Sequence, residues 1–185
     1  AQANFFTKRL NIWVHSDQQW IGADEWKACE RPQLKLADVE HLPCIAGLDL
    51  ASKIDLAAKV RVFYDSERNE YPVLANFYLP ERAIEASTNA SYDGWRRAGW
   101  ITVTPGEVTD FDQIQDELLD DCAQLNMTSI GIDPFQATQM ISGLLTQHAP
   151  VVEVRQTVPN LSEPMKLVQA MVLDRKPGAP RIVHD

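Results

Sequence analysis

Positive charge is scarce in this chain. Its 185 residues carry 17 Lys and Arg against 26 Asp and Glu, a formal charge of −9, and the sequence pI is near 4.9. A surface coated with DNA-binding charge is therefore excluded, and any contact with nucleic acid must rest on a local patch. Long apolar runs are missing too: no window approaches the roughly eighteen uncharged apolar residues that a bilayer-spanning helix needs. Cysteine is sparse, and Cys29, Cys44 and Cys122 are odd in number and far apart. That usage suits a reducing cytosol and offers no zinc-ligand pair. The GxxxxGK[ST] phosphate loop is absent, as are GxGxxG, GxSxG and HExxH, so this stretch is not itself a P-loop ATPase. The first residues lack the basic-then-apolar layout of a secretory signal.

What is present fits a globular domain. Hydrophobic residues make up 45% and charged residues 23%, with five Trp, six Phe and four Tyr, more aromatic surface than a solvated chain requires. The length fits one domain, with room for a short appendage. The chain starts at Ala1 without Met, as a fragment or a processed N-terminus would. Residues 1 to 43 carry Phe5, Phe6, Leu10, Ile12, Trp13, Trp20 and Trp26 with no sustained period. They read as an arm that packs on the following domain or on a missing neighbour.

From Cys44 the pattern tightens. Cys44 to Leu50 is a short apolar run broken by one Asp, as expected of a buried strand. Lys59 to Tyr64 alternates, with Val60, Val62 and Tyr64 on one side and Arg61 on the other; after a polar turn over 65–70, Val73, Ala75, Phe77 and Leu79 alternate again until Pro80. Three strands joined by short turns predict an antiparallel meander, with the most apolar strand central. The second half changes rhythm. Asp110 to Leu125 places Phe111, Ile114, Leu118, Cys122 and Leu125 on one helical stripe, with Asp110 as N-cap and Gln113 in the capping-box position. Ser129–Ile132 reads as a strand, and Gln136 to Gln147 as a helix with Ala137, Met140, Ile141, Leu144 and Leu145 inward. Val151–Val154 reads as another strand, followed by a helix that Ser162 caps, with Met165, Val168 and Val172 on one face. Strand, helix, strand, helix implies parallel βα units. The fold class is α/β: an antiparallel three-strand meander followed by parallel βα units with flanking helices, the order of a ribonuclease H-like mixed sheet.

Asp49 is the most informative residue, because an ionised carboxylate in a buried strand is costly unless it is paired or holds a metal. It lies near the end of its strand, where ligands bind in open α/β sheets. Asp133 repeats that placement just before Pro134. Two carboxylates at the ends of neighbouring strands can share a hard cation such as Mg²⁺. Equally, Asp before Pro is a common turn pairing, and a strand-end Asp can cap a turn or pair with Arg. Asp55 is a further ligand or a turn residue. Arg96 and Arg97, beside Trp95 and Trp100, form a small basic–aromatic cluster suited to phosphate or to an exposed helix face. His15, His41, His148 and His184 are scattered, and Cys44 and Cys122 fall on apolar faces and read as core.

An ordered set of motifs resembles the large terminase subunit of tailed bacteriophages. It runs from Leu10-Asn-Ile-Trp-Val14, Trp20, Trp26 and Cys29 through Gly47-Leu-Asp-Leu-Ala-Ser52 with Asp55. It continues with Tyr78-Leu-Pro-Glu81, Trp95 to Gly99, Thr104-Pro-Gly106, Ile132-Asp-Pro134, Gln156 and Leu161-Ser162. The resemblance implies a ribonuclease H-like nuclease domain over 44–185, with 1–43 connecting it to an ATPase domain outside this sequence. It implies that Asp49 and Asp133 are the metal-binding catalytic acids, working with two Mg²⁺ or Mn²⁺ ions bridged by Asp49. Beside them, the Arg96 and Arg97 cluster is the candidate DNA contact. A third family acid would lie beyond Arg181-Ile-Val-His184, past Asp185, which implies weak or absent cutting by this stretch alone. Substrate and partners would be double-stranded DNA, the ATPase domain, the small terminase subunit and the portal protein, in the host cytoplasm and with no membrane. Two other readings stand beside this one. Gly47-Leu-Asp-Leu-Ala-Ser52 also resembles the first phosphate motif of actin and sugar kinases, but that motif wants Gly where Ala51 stands and a chain about twice as long. The third reading is a non-catalytic docking module of the packaging motor.

Overall fold

A computed structural model of the chain describes residues 20–50, 55–87, 90–135 and 137–185. The aromatic stretch through Trp13, the Ala51-Ser52 end of the strand motif and the expected helix start at Gln136 lie outside them.

Among the described residues seven strands form one mixed sheet. The strands β1 (Pro43–Asp49), β2 (Ala57–Phe63) and β3 (Glu70–Pro80) make the antiparallel meander. The turn between β2 and β3 is built by Asp65, whose carboxylate accepts from the backbone N–H groups of Glu67 and Arg68. A short side chain that satisfies its own turn in this way is why Asp favours such positions. Strands β5 (Asn126–Ile132) and β6 (Val151–Glu153) then add in parallel to β1. The most apolar run is central, between β2 and β5. Two four-residue strands, β4 (Ile101–Thr104) and β7 (Arg181–His184), pair in parallel with β3.

The helices, among them the short α3 (Glu81–Ala86) directly after β3, cover the sheet unequally. On one face, α5 (Phe111–Gln124) and α6 (Thr138–Thr146) set Ile114, Leu118, Met140, Ile141 and Leu144 against Ala46, Leu48, Tyr78, Ile130 and Ile132. Each large aliphatic side chain buried there contributes about 1.5–3 kcal/mol relative to exposure. Asp110 caps α5 by accepting from Asp112 and Gln113 N–H groups. On the other face, α7 (Val158–Leu173) and α1 (Ala23–Lys27) close a smaller core of Cys29, Val172 and Ile182. Residues 20–42, which include α2 (Leu36–Val39), pack on the sheet itself. Leu34 and Val39 join Cys44, Phe63 and Leu125, and the Trp26 ring stacks on His184 at 4.4 Å. Glu70 is 1% exposed and ties the arm to β7 by bridging Arg31 and Arg181.

Several local expectations change. The charged side of β2 is the covered one: Lys59 is 2% exposed, because α5 brings Asp121 to 2.9 Å and Glu117 to 3.4 Å from its ammonium. Gln113 closes no capping box, since its amide donates to Glu117. Leu145 points to solvent, not inward. Helix α7 begins a turn before Ser162, behind Thr157 and with Pro in its first turn, where a missing N–H costs nothing. The Ser162 hydroxyl instead donates to the Val158 carbonyl.

Candidate functional site: an acid pair at the strand ends

The three parallel neighbours β1, β5 and β6 end side by side. In the β1–β5 ladder Leu48 pairs with Ile132, so Asp49 and Asp133 are the next residues on adjacent strands, about 5 Å apart in backbone. Asp49 is exposed and Asp133 half-buried. Burial cost therefore does not explain Asp49; its place at the strand end does. Among the described residues neither carboxylate has a Lys, Arg or His ion-pair partner. Two acids are thus held together without compensating cations.

Gln156, three residues past the end of β6, holds them. Its backbone N–H donates to Asp133 Oδ2 at 3.1 Å, and its side-chain Nε2 donates to Asp49 Oδ1 at 3.3 Å. The second Asp133 oxygen accepts from the Phe135 N–H at 3.0 Å, so the Asp-Pro turn and the acid site use the same carboxylate. Each ionised oxygen offers more than one acceptor direction, so these bonds leave lone pairs free on both acids. Asp133 is accordingly both the turn residue and a candidate ligand.

Beside the acids lies a cavity of about 400 Å³, lined by Gly47, Ala58, Val60, Gly131, Val154 and Leu161 among others. Its floor is bare because Gly47 and Gly131 face each other across the β1–β5 ladder. A Cβ on Gly47 would meet nothing within 4 Å.

The other expected site residues are elsewhere. Asp55 is exposed just before β2, and among the described residues no three His, Cys, Asp or Glu side chains gather as a metal site. Asp55 thus does not complete the acid pair in this arrangement. Arg96 and Arg97 close α4 (Ala90–Arg97) and both pair with Asp93, while Trp100 beside them is 65% exposed. Arginine hydrogen bonding lowers the Asp93 pKa, which keeps it an anion between two guanidiniums. The strand that follows this helix is in register with the acids: Asp49 pairs with Ala58, Ala58 with Phe77 and Phe77 with Ile101. Three strand spacings, about 14 Å, separate Asp49 from the start of β4.

Sequence reasoning matched Gln156 to a motif but gave it no role. The available signal was its place just beyond a third parallel strand, level with two strand-end acids. The Gly47–Gly131 trough could not be seen before the register was known.

Comparison with known proteins bears on this arrangement. The family described as the terminase large subunit, endonuclease domain, matches residues 1–180. Protein YmfN of Escherichia coli K12 is 30% identical over 181 residues, covering 92% of this chain and 40% of that protein. The terminase large subunit of Enterobacteria phage HK97 is 23% identical over 175 residues, covering 92% of this chain and 34% of that protein. The crystal structure of the HK97 large terminase superposes with a TM-score of 0.74 at 23% identity, over 90% of this chain and 34% of that one, which shows a shared fold. The chain spans well under half the length of either relative. Among the described residues no helix is long and apolar enough to cross a membrane. A strand-end acid pair on a ribonuclease H-like sheet and a family match over nearly the whole sequence agree, in place of an actin or sugar-kinase reading: the chain belongs to the terminase large subunit endonuclease-domain family.

Proposed function

We propose that this chain is the metal-dependent nuclease domain of a DNA-packaging terminase, cutting concatemeric double-stranded DNA, with Asp49 and Asp133 as its metal-binding catalytic acids. The observation that carries the reading is two adjacent, unpaired carboxylates at the ends of β1 and β5, bridged by one glutamine. The donor set fits: every available ligand atom is a hard oxygen, the type Mg²⁺ and Mn²⁺ prefer. Two such ions would lower the pKa of an attacking water and stabilise the leaving 3′ oxygen.

The protein's own residues do the rest. Asp49 presents its carboxylate to solvent, where a phosphodiester can reach it, while Asp133 is fixed by the N–H groups of Phe135 and Gln156. Fixing an acid before substrate arrives removes reorganisation at the moment of reaction. Arg96 and Arg97, on the helix that leads into β4, would meet a phosphate of the same duplex, exchanging Asp93 for it. Such contacts position DNA without reading its sequence. With a net charge of −9 the domain grips DNA weakly alone, so the ATPase domain, small subunit and portal supply the hold in the host cytoplasm.

The test pairs a thermal shift with plasmid cutting. Mn²⁺ at a hundred times its Kd should stabilise the wild-type chain by about 2.7 kcal/mol, or roughly 5–11 °C in Tm for a domain of this size. It should leave Asp49→Asn unmoved. Cutting of supercoiled plasmid should be slow, abolished by EDTA, and lost in Asp49→Asn and Asp133→Asn. No shift in the wild type, or equal cutting by Asp49→Asn, contradicts the proposal.

A further inference from the structure

We propose that the Gly47–Gly131 trough seats the deoxyribose next to the phosphate held at the acid pair, and that its lack of polar groups makes the site select DNA over RNA. The inference rests on the nuclease reading above and names the part of the substrate that the trough receives. The fold itself requires neither glycine. Among the described residues the glycines with positive φ are Gly99, Gly106 and Gly178, so β1 and β5 pass through Gly47 and Gly131 in backbone conformations open to any residue. A Cβ on Gly47 would meet nothing within 4 Å, and one on Gly131 would make ordinary contacts with Val154 Cγ2 at 3.4 Å and the Ala46 carbonyl at 3.8 Å. Glycine inside a strand weakens it and gives up a side chain that could pack. Two of them, paired across a central ladder, carry a cost that neither backbone nor packing explains. Close approach of another molecule to the sheet does explain it.

Position and chemistry say what approaches. Asp49, Asp133 and Gln156 line the same cavity as the two glycines, so a strand with its phosphate at the acids lays the neighbouring sugar on the trough. The cavity, about 400 Å³, is within the range of small-molecule sites. The rest of its wall is apolar, from Leu48, Ala58, Val60, Val154 and Leu161. The floor offers no free backbone partner either. Strand β1 lies between β2 and β5, and β5 between β1 and β6, which engages the N–H and C=O groups of both strands on both sides.

Deoxyribose sets its C2′ methylene against such a surface without penalty. A ribose 2′-hydroxyl would give up water there and find no partner short of the acids and Gln156 at the mouth, which costs the desolvation of an unpaired polar group. That hydroxyl is the group by which proteins tell RNA from DNA. An apolar pocket rejects an added hydroxyl by about 100-fold at most, so the expected preference for the deoxy sugar is about 10- to 100-fold.

Nuclear magnetic resonance of the nitrogen-labelled chain in MgCl₂, titrated with deoxyadenosine 5′-monophosphate and with adenosine 5′-monophosphate, reads this without cleavage. The two probes differ only in the 2′-hydroxyl. Amide signals of Gly47, Gly131 and Val154 should move with the deoxy probe, which should bind about 10- to 100-fold tighter than the ribo probe. Gly47→Val fills the trough and should lose affinity for the deoxy probe by about 10-fold or more, with Gly47→Ala between it and wild type. Both variants should keep the wild-type Mn²⁺ affinity in a calorimetric titration. Both should melt in EDTA no lower than wild type, because the added Cβ enters open space and glycine is the weaker strand residue. Equal affinity for the two probes, shifts confined to the acids, or full affinity in Gly47→Val overturns the sugar seat while leaving the acid pair intact. A lower melting temperature in Gly47→Ala makes the glycine structural and overturns the seat as well. No binding of Mg²⁺ or Mn²⁺ by the wild type overturns the acid pair, and the seat with it.

Discussion

Removing Asp121 should destabilise this domain far more than removing the lysine it pairs with. Asp121 is buried beneath the sheet on α5, with Oδ1 accepting from Arg61 at 3.0 Å and Oδ2 in ion contact with Lys59 at 2.9 Å, off hydrogen-bond alignment. Asp121→Ala leaves two cations poorly compensated. Arg61 keeps only Asn76 at 2.8 Å, with its Nε already buried and unpartnered among the described residues, and Lys59 keeps only Glu117 at 3.4 Å. Stranding buried charge costs about 3–5 kcal/mol, which for a domain of this size lowers Tm by roughly 6–20 °C. Lys59→Met is different. Asp121 retains Arg61, Glu117 retains Tyr78 and Gln113, and the methionine refills the apolar stem, so the expected loss is about 1 kcal/mol or less. Urea unfolding followed by circular dichroism, with m-values compared to confirm an unchanged transition, measures both. The reasoning is refuted if Asp121→Ala costs under about 1 kcal/mol, or if Lys59→Met costs as much as Asp121→Ala.

Acid should unfold the domain through Glu70 and Glu117. Burial pushes the Glu70 pKa up, but hydrogen bonds from Arg31 and Arg181 outweigh it and the net shift is downward. Burial likewise opposes the bonds from Tyr78, Gln113 and Lys59 that lower Glu117. Depressed carboxylate pKa values contribute stability that is complete above the unfolded value and lost as pH falls through the folded one. Urea midpoints should therefore be flat near neutrality and fall below about pH 4.3, with a shallower fall in Glu70→Gln from a lower starting stability; an unchanged slope in that variant would contradict the assignment. Burial first, with Asp121 nearby, raises the Cys44 thiol to about 11. Cys44 should thus resist a disulfide reagent at pH 8 in the native chain and react once urea is added, and rapid native labelling of Cys44 would show that β1 opens.

Much of the frame was legible because it is written in short-range periodicity. The Cys44–Leu50 run and the 111–125 stripe name β1 and α5, and the Asp110 cap lies where a short acceptor precedes a helix. Asp49 and Asp133 were legible as strand-end acids. What escaped depends on partners distant in sequence. Alternation located the two sides of β2, but only α5, about sixty residues on, makes the Lys59 side the buried one. Four-residue strands such as β4 and β7 are too short for a period to emerge, and β7 is held by Arg31, Glu70 and Trp26 from elsewhere. Gln156 bonds one acid through its backbone and the other through its side chain, a combination no local pattern encodes.

The most direct test of the account is a crystal of this chain soaked in MnCl₂ and measured at the manganese absorption edge. The account predicts an anomalous peak about 2–2.5 Å from carboxylate oxygens of both Asp49 and Asp133, absent in crystals of Asp49→Ala. A peak elsewhere, or none at saturating Mn²⁺ with the acids turned apart, would contradict it.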